Sequence, residues 1–175
     1  MAISGVERLI LVMLAEIYKA NKIRGEIDPD FVLATAFSDQ DWAFSWRYPG
    51  IFRGDPEQPE IVDETCKILD MYRRITRSFE ELPQAERDRV TAKSHPFDDY
   101  VKFQGFDFNN DPHASVVDHL VKHLERYDEV NPDLNSHSSS TITQYRRMLE
   151  RIQDFPMSGP NWQLSADQII AVLKG

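Results

Sequence analysis

One cysteine, Cys66, stands in 175 residues, so no disulfide can close within the chain. A fold that does without disulfides is at home in a reducing compartment, and the sequence predicts a cytoplasmic protein. Cations are also scarce. Twenty Lys and Arg face 29 Asp and Glu, giving a formal net charge of -9 and a pI near 5.0. That balance argues against broad binding to a nucleic-acid backbone, which needs a cationic face. The apolar run Leu9 to Ala15 is closed by Glu16 and falls far short of the roughly 20 residues that span a bilayer. It has neither a strongly basic leader nor a small-residue cleavage site, so it reads as a buried helix rather than a signal peptide or a membrane segment. Sustained strand alternation and internal repeats are missing as well. No motif names a reaction.

What is present is helical periodicity. Between Ile61 and Leu82, apolar residues recur at Val62, Cys66, Leu69, Tyr72, Ile75 and Phe79, three or four positions apart. At about 100° per residue these share one side of an α-helix. Ile61, Ile68, Met71 and Leu82 widen the apolar arc to roughly 220°, more than an ordinary surface helix carries. Such a helix needs neighbours on several sides and belongs at the centre of a bundle.

Other helices declare themselves by their ends. Ser4 with Glu7 and Ser165 with Gln168 are capping boxes, in which each side chain meets a backbone N–H at the helix start. Asp28-Pro29 supplies an N-cap and a first-turn proline. Ser38 and Asp41 suggest a further start, and Thr141 with Gln144 a third capping box. The charged segment 84–93 reads as a solvated helix. Residues 97–103 read as a short amphipathic helix closed by Gly105 at positive φ. Asp111-Pro112 opens a helix expected to run to about Val130, where Asn131-Pro132 stops it. The 54–59 and 135–140 segments read as a turn and a polar loop. A 175-residue chain fits one domain, residues 1–175, and the pattern predicts an all-α, multihelical bundle of about six to eight helices around the long central one.

Four stretches carry a family resemblance: ERLILVMLAEIYK near the start, DETCKILDMYRRI in the central helix, FQGFDF after it, and YRRMLERI followed by LSADQI near the end. In their order and spacing the chain resembles the YfbU family of bacterial proteins. The resemblance implies a helical, cytoplasmic, oligomeric protein and supplies no catalytic residue.

Candidate chemistry is sparse. His119 and His123 have the i,i+4 spacing of a helical metal pair, but the charged neighbour on that edge is Arg126, and an ion would want a carboxylate. Packing histidines are the simpler reading. Asp107, Asn109, Asp111 and Asp118 mimic a calcium loop, yet Pro112 stands where glycine is needed and Asp118 where a bidentate Glu belongs. A helix start explains Asp111-Pro112 better, and Cys66 reads as a structural thiol on a helix. No cofactor or metal is therefore expected. Two basic runs remain: Arg73, Arg74 and Arg77 beside Tyr72, and Arg146, Arg147 and Arg151 beside Tyr145. If the helices pack through the tyrosines, these arginines could line an anion groove; paired, solvated flanks are the alternative. The aromatic crowd from Phe37 to Phe52, with Trp42 and Trp46 one turn apart, reads as core and subunit contact. The sequence thus predicts a self-associating helical interaction or regulatory module: a homo-oligomer, most simply a two-fold dimer, with a protein partner. The rival is an enzyme or small-anion binder using the arginine groove.

Overall fold

A computed structural model of the chain describes residues 3–52, 58–130, 134–136, 140–157 and 162–175. The expected stop at Asn131-Pro132, most of the 54–59 turn and residues 137–139 of the polar loop lie outside these. Eight α-helices occur among the described residues: α1 (Gly5–Ala20), α2 (Pro29–Ser38), α3 (Trp42–Arg47), α4 (Glu60–Glu81), α5 (Gln84–Ser94), α6 (His113–Lys122), α7 (Ile142–Ile152) and α8 (Ala166–Lys174). A 3-10 turn covers Asp98–Val101. The described residues contain no strand, only an isolated bridge between Phe106 and Asn135. The protein is all-α and multihelical, with α4 its longest helix. None of the described helices is long and apolar enough to cross a membrane.

The chain divides into two compact units. One comprises Met1–Glu60 with Asp118–Arg126, the other Ile61–Val117 with Tyr127–Gly175.

In the first unit two of the three predicted starts are capped as expected. Ser4 and Glu7 form the capping box of α1, and the Asp28 carboxylate accepts from the backbone N–H groups of Asp30 and Phe31 at the head of α2. Asp41 precedes α3 but does not cap it. Its carboxylate instead accepts from the backbone N–H of Ile3 and the guanidinium of Arg8, a demand from 33 to 38 residues away that the local pattern could not display. Phe31, Trp42, Phe44, His119 and Leu120 are buried. Phe31 meets Phe44 and Tyr48 edge to face, at 5.9 and 5.7 Å between centroids.

The second unit is built on α4. Val62, Ile68, Leu69, Met71, Tyr72 and Ile75 are each 3% exposed or less, as the wide apolar arc requires. Tyr72 packs against Tyr145 of α7 and against Phe103, both at 5.3 Å. Helix α5 is less solvated than its charge suggests, because it buries Val90 and Ser94 and packs on α8. The 97–103 segment is one 3-10 turn rather than a longer helix.

Gly105 has the expected positive φ, +77°, but not as a helix terminator. Its carbonyl accepts from the hydroxyls of Thr141 and Tyr145. Thr141 is thereby diverted, and α7 begins without a side-chain cap. Gln144 likewise reaches the carbonyl of Leu173. Helix α6 ends at Lys122, well before Val130. Glu125 and Tyr127 take φ of 54° and 62°, left-handed values that cannot continue a right-handed helix.

Candidate functional site

In the second unit the tyrosines do bring α4 and α7 together, yet the six arginines do not converge on one groove. Arg73 binds Asp70 at 3.2 Å and Glu129 at 2.5 Å, and lies 4.7 Å over the Tyr127 ring. Arg74 donates to the main-chain carbonyls of Trp162 and Phe155, each at 2.6 Å, and burial pushes its guanidinium pKa down. Arg151 pairs with Asp154 at 2.5 Å. Arg77 and Arg147 are exposed. A groove of about 320 Å³ holds only Arg74 of the six, with Lys67, Asp70, Met71, Leu149 and Ile152 among its other lining residues.

Arg146 belongs to a different constellation. It grips Glu64 with two bonds, at 2.7 and 2.9 Å. Glu64 in turn faces His113 Nε2 at 2.8 Å, while Asp111 faces His113 Nδ1 at 2.6 Å. With a carboxylate on each side, only the imidazolium form of His113 donates to both. The ring also stacks on Phe106 at 5.3 Å and is 4% exposed. The Glu64 carboxyl is held down at about 2, first by the hydrogen bond from Arg146, against the opposing effect of burial.

A cleft of about 460 Å³ beside this network is lined by Asp107, Asn110, Asp111, His113, Ser140 and Arg146, among others. Both nitrogens of His113 are engaged, so neither is free to take a proton from a substrate. Sequence reasoning missed this network because Glu64 lies 49 residues from His113 and 82 from Arg146. Asp111 alone was legible, two residues from His113, as a helix-start residue. It accepts from the backbone N–H of His113 at the start of α6. Asp107, the first position of the calcium-like pattern, accepts from the Asn109 backbone and the Asn110 side chain. Among the described residues, no group of three or more His, Cys, Asp or Glu side chains is placed to hold a metal ion. Cys66 is half-buried, and its thiol shares a hydrogen bond with the Tyr127 side chain.

In the first unit His119 is a core residue, 2% exposed. Its Nε2 lies 3.1 Å from the Thr35 hydroxyl, and its ring 4.8 Å from that of His123. Burial, then the neighbouring His123, hold its pKa near 4, with Asp118 opposing. Trp42 is 8% exposed, donates to Gln40 at 2.6 Å and stands edge to face with Trp46 at 5.1 Å. Trp46 carries the guanidinium of Arg126 at 4.5 Å. Both indoles are thus engaged within their own unit.

The exposed apolar surface of this unit lies elsewhere. Helix α1 packs on α2 through the side that carries Arg8, Leu11, Val12 and Ala15. Its other side leaves Val6 70%, Leu9 60%, Ile10 50%, Met13 53%, Leu14 57% and Ile17 52% exposed. The expectation of a buried helix is corrected here, since Ala15 is the only buried residue of α1. Apolarity showed that the helix wants cover but not that its own unit covers one side only. Leu14 continues the stripe into an apolar groove of about 310 Å³, whose lining includes Leu11, Tyr18, Ile27, Phe44 and Ile51.

No curated protein and no solved structure matches the chain. The YfbU domain matches residues 1–175, so the chain belongs to the YfbU family.

Proposed function

We propose that this protein is a self-associating helical interaction module whose contact surface is the outer face of α1, and that it works in the cytoplasm. The observation that carries the reading is the row of six aliphatic side chains on one helix, each half-exposed or more. Monomeric proteins rarely leave so contiguous an apolar patch in water, and a helix apolar on all sides is normally covered. Covering each half-exposed Leu or Ile is worth roughly 1 kcal/mol. A surface of this kind suits association more than chemistry, which would want polar groups converging in a concave site. The rival, an anion site among the arginines, draws less support because Arg73, Arg74, Arg146 and Arg151 already hold acceptors of the chain itself.

Light scattering and sedimentation across a micromolar concentration series test the reading. A mass that rises to a multiple of 20.3 kDa is expected, and a return to the monomer in Met13→Asp. A monomer at every concentration would overturn it.

A further inference from the structure

We infer that the partner covering α1 is α1 of a second copy, laid antiparallel about a two-fold axis that passes between the levels of Leu11 and Val12. This rests on the self-association proposed above and adds the identity and direction of the contact.

Three observations carry it. First, the exposed stripe is palindromic in position. Val6 and Ile17, Leu9 and Leu14, and Ile10 and Met13 are pairs whose numbers have the same midpoint. Laid antiparallel on that midpoint, Val6 meets Ile17 and Ile10 meets Met13 of the other copy, so each of these four seam side chains faces another aliphatic one. A two-fold contact requires such self-complementarity, residue i meeting j while j meets i. The spacing Val6, Ile10, Met13, Ile17 is also the alternating four-three step of a helix-pair seam, with Leu9 and Leu14 on its two flanks. The antiparallel direction sets the positive end of one helix dipole beside the negative end of the other.

Second, the charges of α1 are occupied locally and offer little to a partner of opposite sign. Glu7 is held by Ser4, Arg8 by Asp39 and Asp41, and Lys19 by Asp30. Among the described residues only Glu16 of the α1 charges lacks such a contact. A surface without a charge signature fits a copy of itself better than a charged partner.

Third, the size is adequate. The six stripe residues, with Ile27 and Ile51 at the adjoining groove, supply the apolar core of an interface. A standard contact covers roughly 800 Å² per partner, with an apolar core of this kind ringed by polar residues.

Disulfide trapping in a Cys66→Ser background tests the arrangement. Val6→Cys and Ile17→Cys are made separately and oxidised by air with a copper catalyst, each alone and mixed. Peptide mapping identifies the linked residues, and the same mapping in the Cys66 chain serves if the background variant folds poorly. In an antiparallel pair residue 6 faces residue 17 of the other copy and lies about 17 Å along the axis from its own counterpart. A disulfide tolerates only about 7 Å between Cα atoms. The mixture should therefore shift to a covalent dimer on a non-reducing gel, while each variant alone stays a single chain. Cross-linking of either variant alone would overturn the antiparallel direction. A dimeric mass with no link through either position would overturn α1 as the contact while leaving self-association standing. A monomeric mass of the unsubstituted chain would overturn both.

Discussion

The two compact units spend their apolar residues differently. In the unit around α4, a helix with a wide apolar arc is closed on all its greasy sides, and Val62, Ile68, Tyr72 and Ile75 are 0% exposed. In the unit that begins with α1, a helix richer in apolar residues is covered on one side only. Their buried histidines differ in the same sense. His113, in the first of these units, sits between two carboxylates with Arg146 behind one of them. His119, in the other, faces hydroxyls and aromatic rings. One unit is finished by internal ionic contacts around a closed core. The other sets its buried histidine among hydroxyls and rings and places its unsatisfied apolar surface outside. The more apolar helix is the less covered one; what decides cover is whether the same unit provides a second neighbour.

The largest expected effect lies at Leu69, 1% exposed. Leu69→Asp puts an unpaired charge in the middle of the α4 arc and should cost more than about 4 kcal/mol, enough to remove cooperative melting. A normal melt would show that α4 is not the closed helix of the comparison. Next comes His113→Ala, which leaves Asp111 and Glu64 buried or half-buried without their shared donor. A loss of about 3 kcal/mol in chemical denaturation is expected. Thr35→Val, which removes the hydroxyl partner of His119 in the other unit, should cost about 1 kcal/mol. Equal losses would erase the contrast between an ionic and a neutral histidine environment.

Acid sharpens the comparison further. His119 has its pKa lowered from 6.5 to about 4 in the fold, so the folded state binds fewer protons than the unfolded one between those values. Its contribution is full above pH 6.5 and is lost as pH falls toward 4. Glu64, lowered from 4.5 to about 2, contributes fully above pH 4.5 and loses its share only as pH falls toward 2. Hydrogen exchange, corrected for intrinsic rates, should show α2 loosening between pH 6.5 and 4.5, with His119→Gln flattening the change. Earlier loosening of α4 would reverse the assignment. The smallest effect on stability belongs to Met13→Lys on the outer face of α1. It should alter the monomer's unfolding free energy by no more than about 0.5 kcal/mol while lowering the mass measured by sedimentation.

Legibility followed distance along the chain. The capping boxes of α1 and α8, the Asp28 cap and the arc of α4 are written within a few residues, and sequence reading found them. Failures came where a distant group claimed a side chain. Asp41 turned to Ile3 and Arg8, Thr141 to Gly105, and Gln144 to Leu173. Helix α6 ends at Lys122, and the positive φ of Glu125 and Tyr127, which bars its return toward Val130, has no glycine to announce it. The candidate sites fared likewise. Tyr72 and Tyr145 were rightly brought together, but the acceptors that occupy the arginines beside them, such as the carbonyls of Phe155 and Trp162, have no side-chain signature. The α1 stripe was visible as apolarity, and its exposure was not, because periodicity reports which residues share a face and not what lies opposite.

Gly105 sets a limit on how this family can vary. A β-carbon built there would stand 2.6 Å from the backbone carbonyl of Leu134 and 2.8 Å from that of Asn135, on top of a φ that side chains resist. Neither obstacle is a flexible side chain that could swing away. For a library of variants, position 105 is therefore a fixed letter, whereas the neighbouring Gln104 can change and keep its backbone N–H on the Tyr145 hydroxyl. A member of the family with any other residue at this place must have rerouted the 134–135 segment. The glycine of FQGFDF is the position from which such rerouting can be read in an alignment.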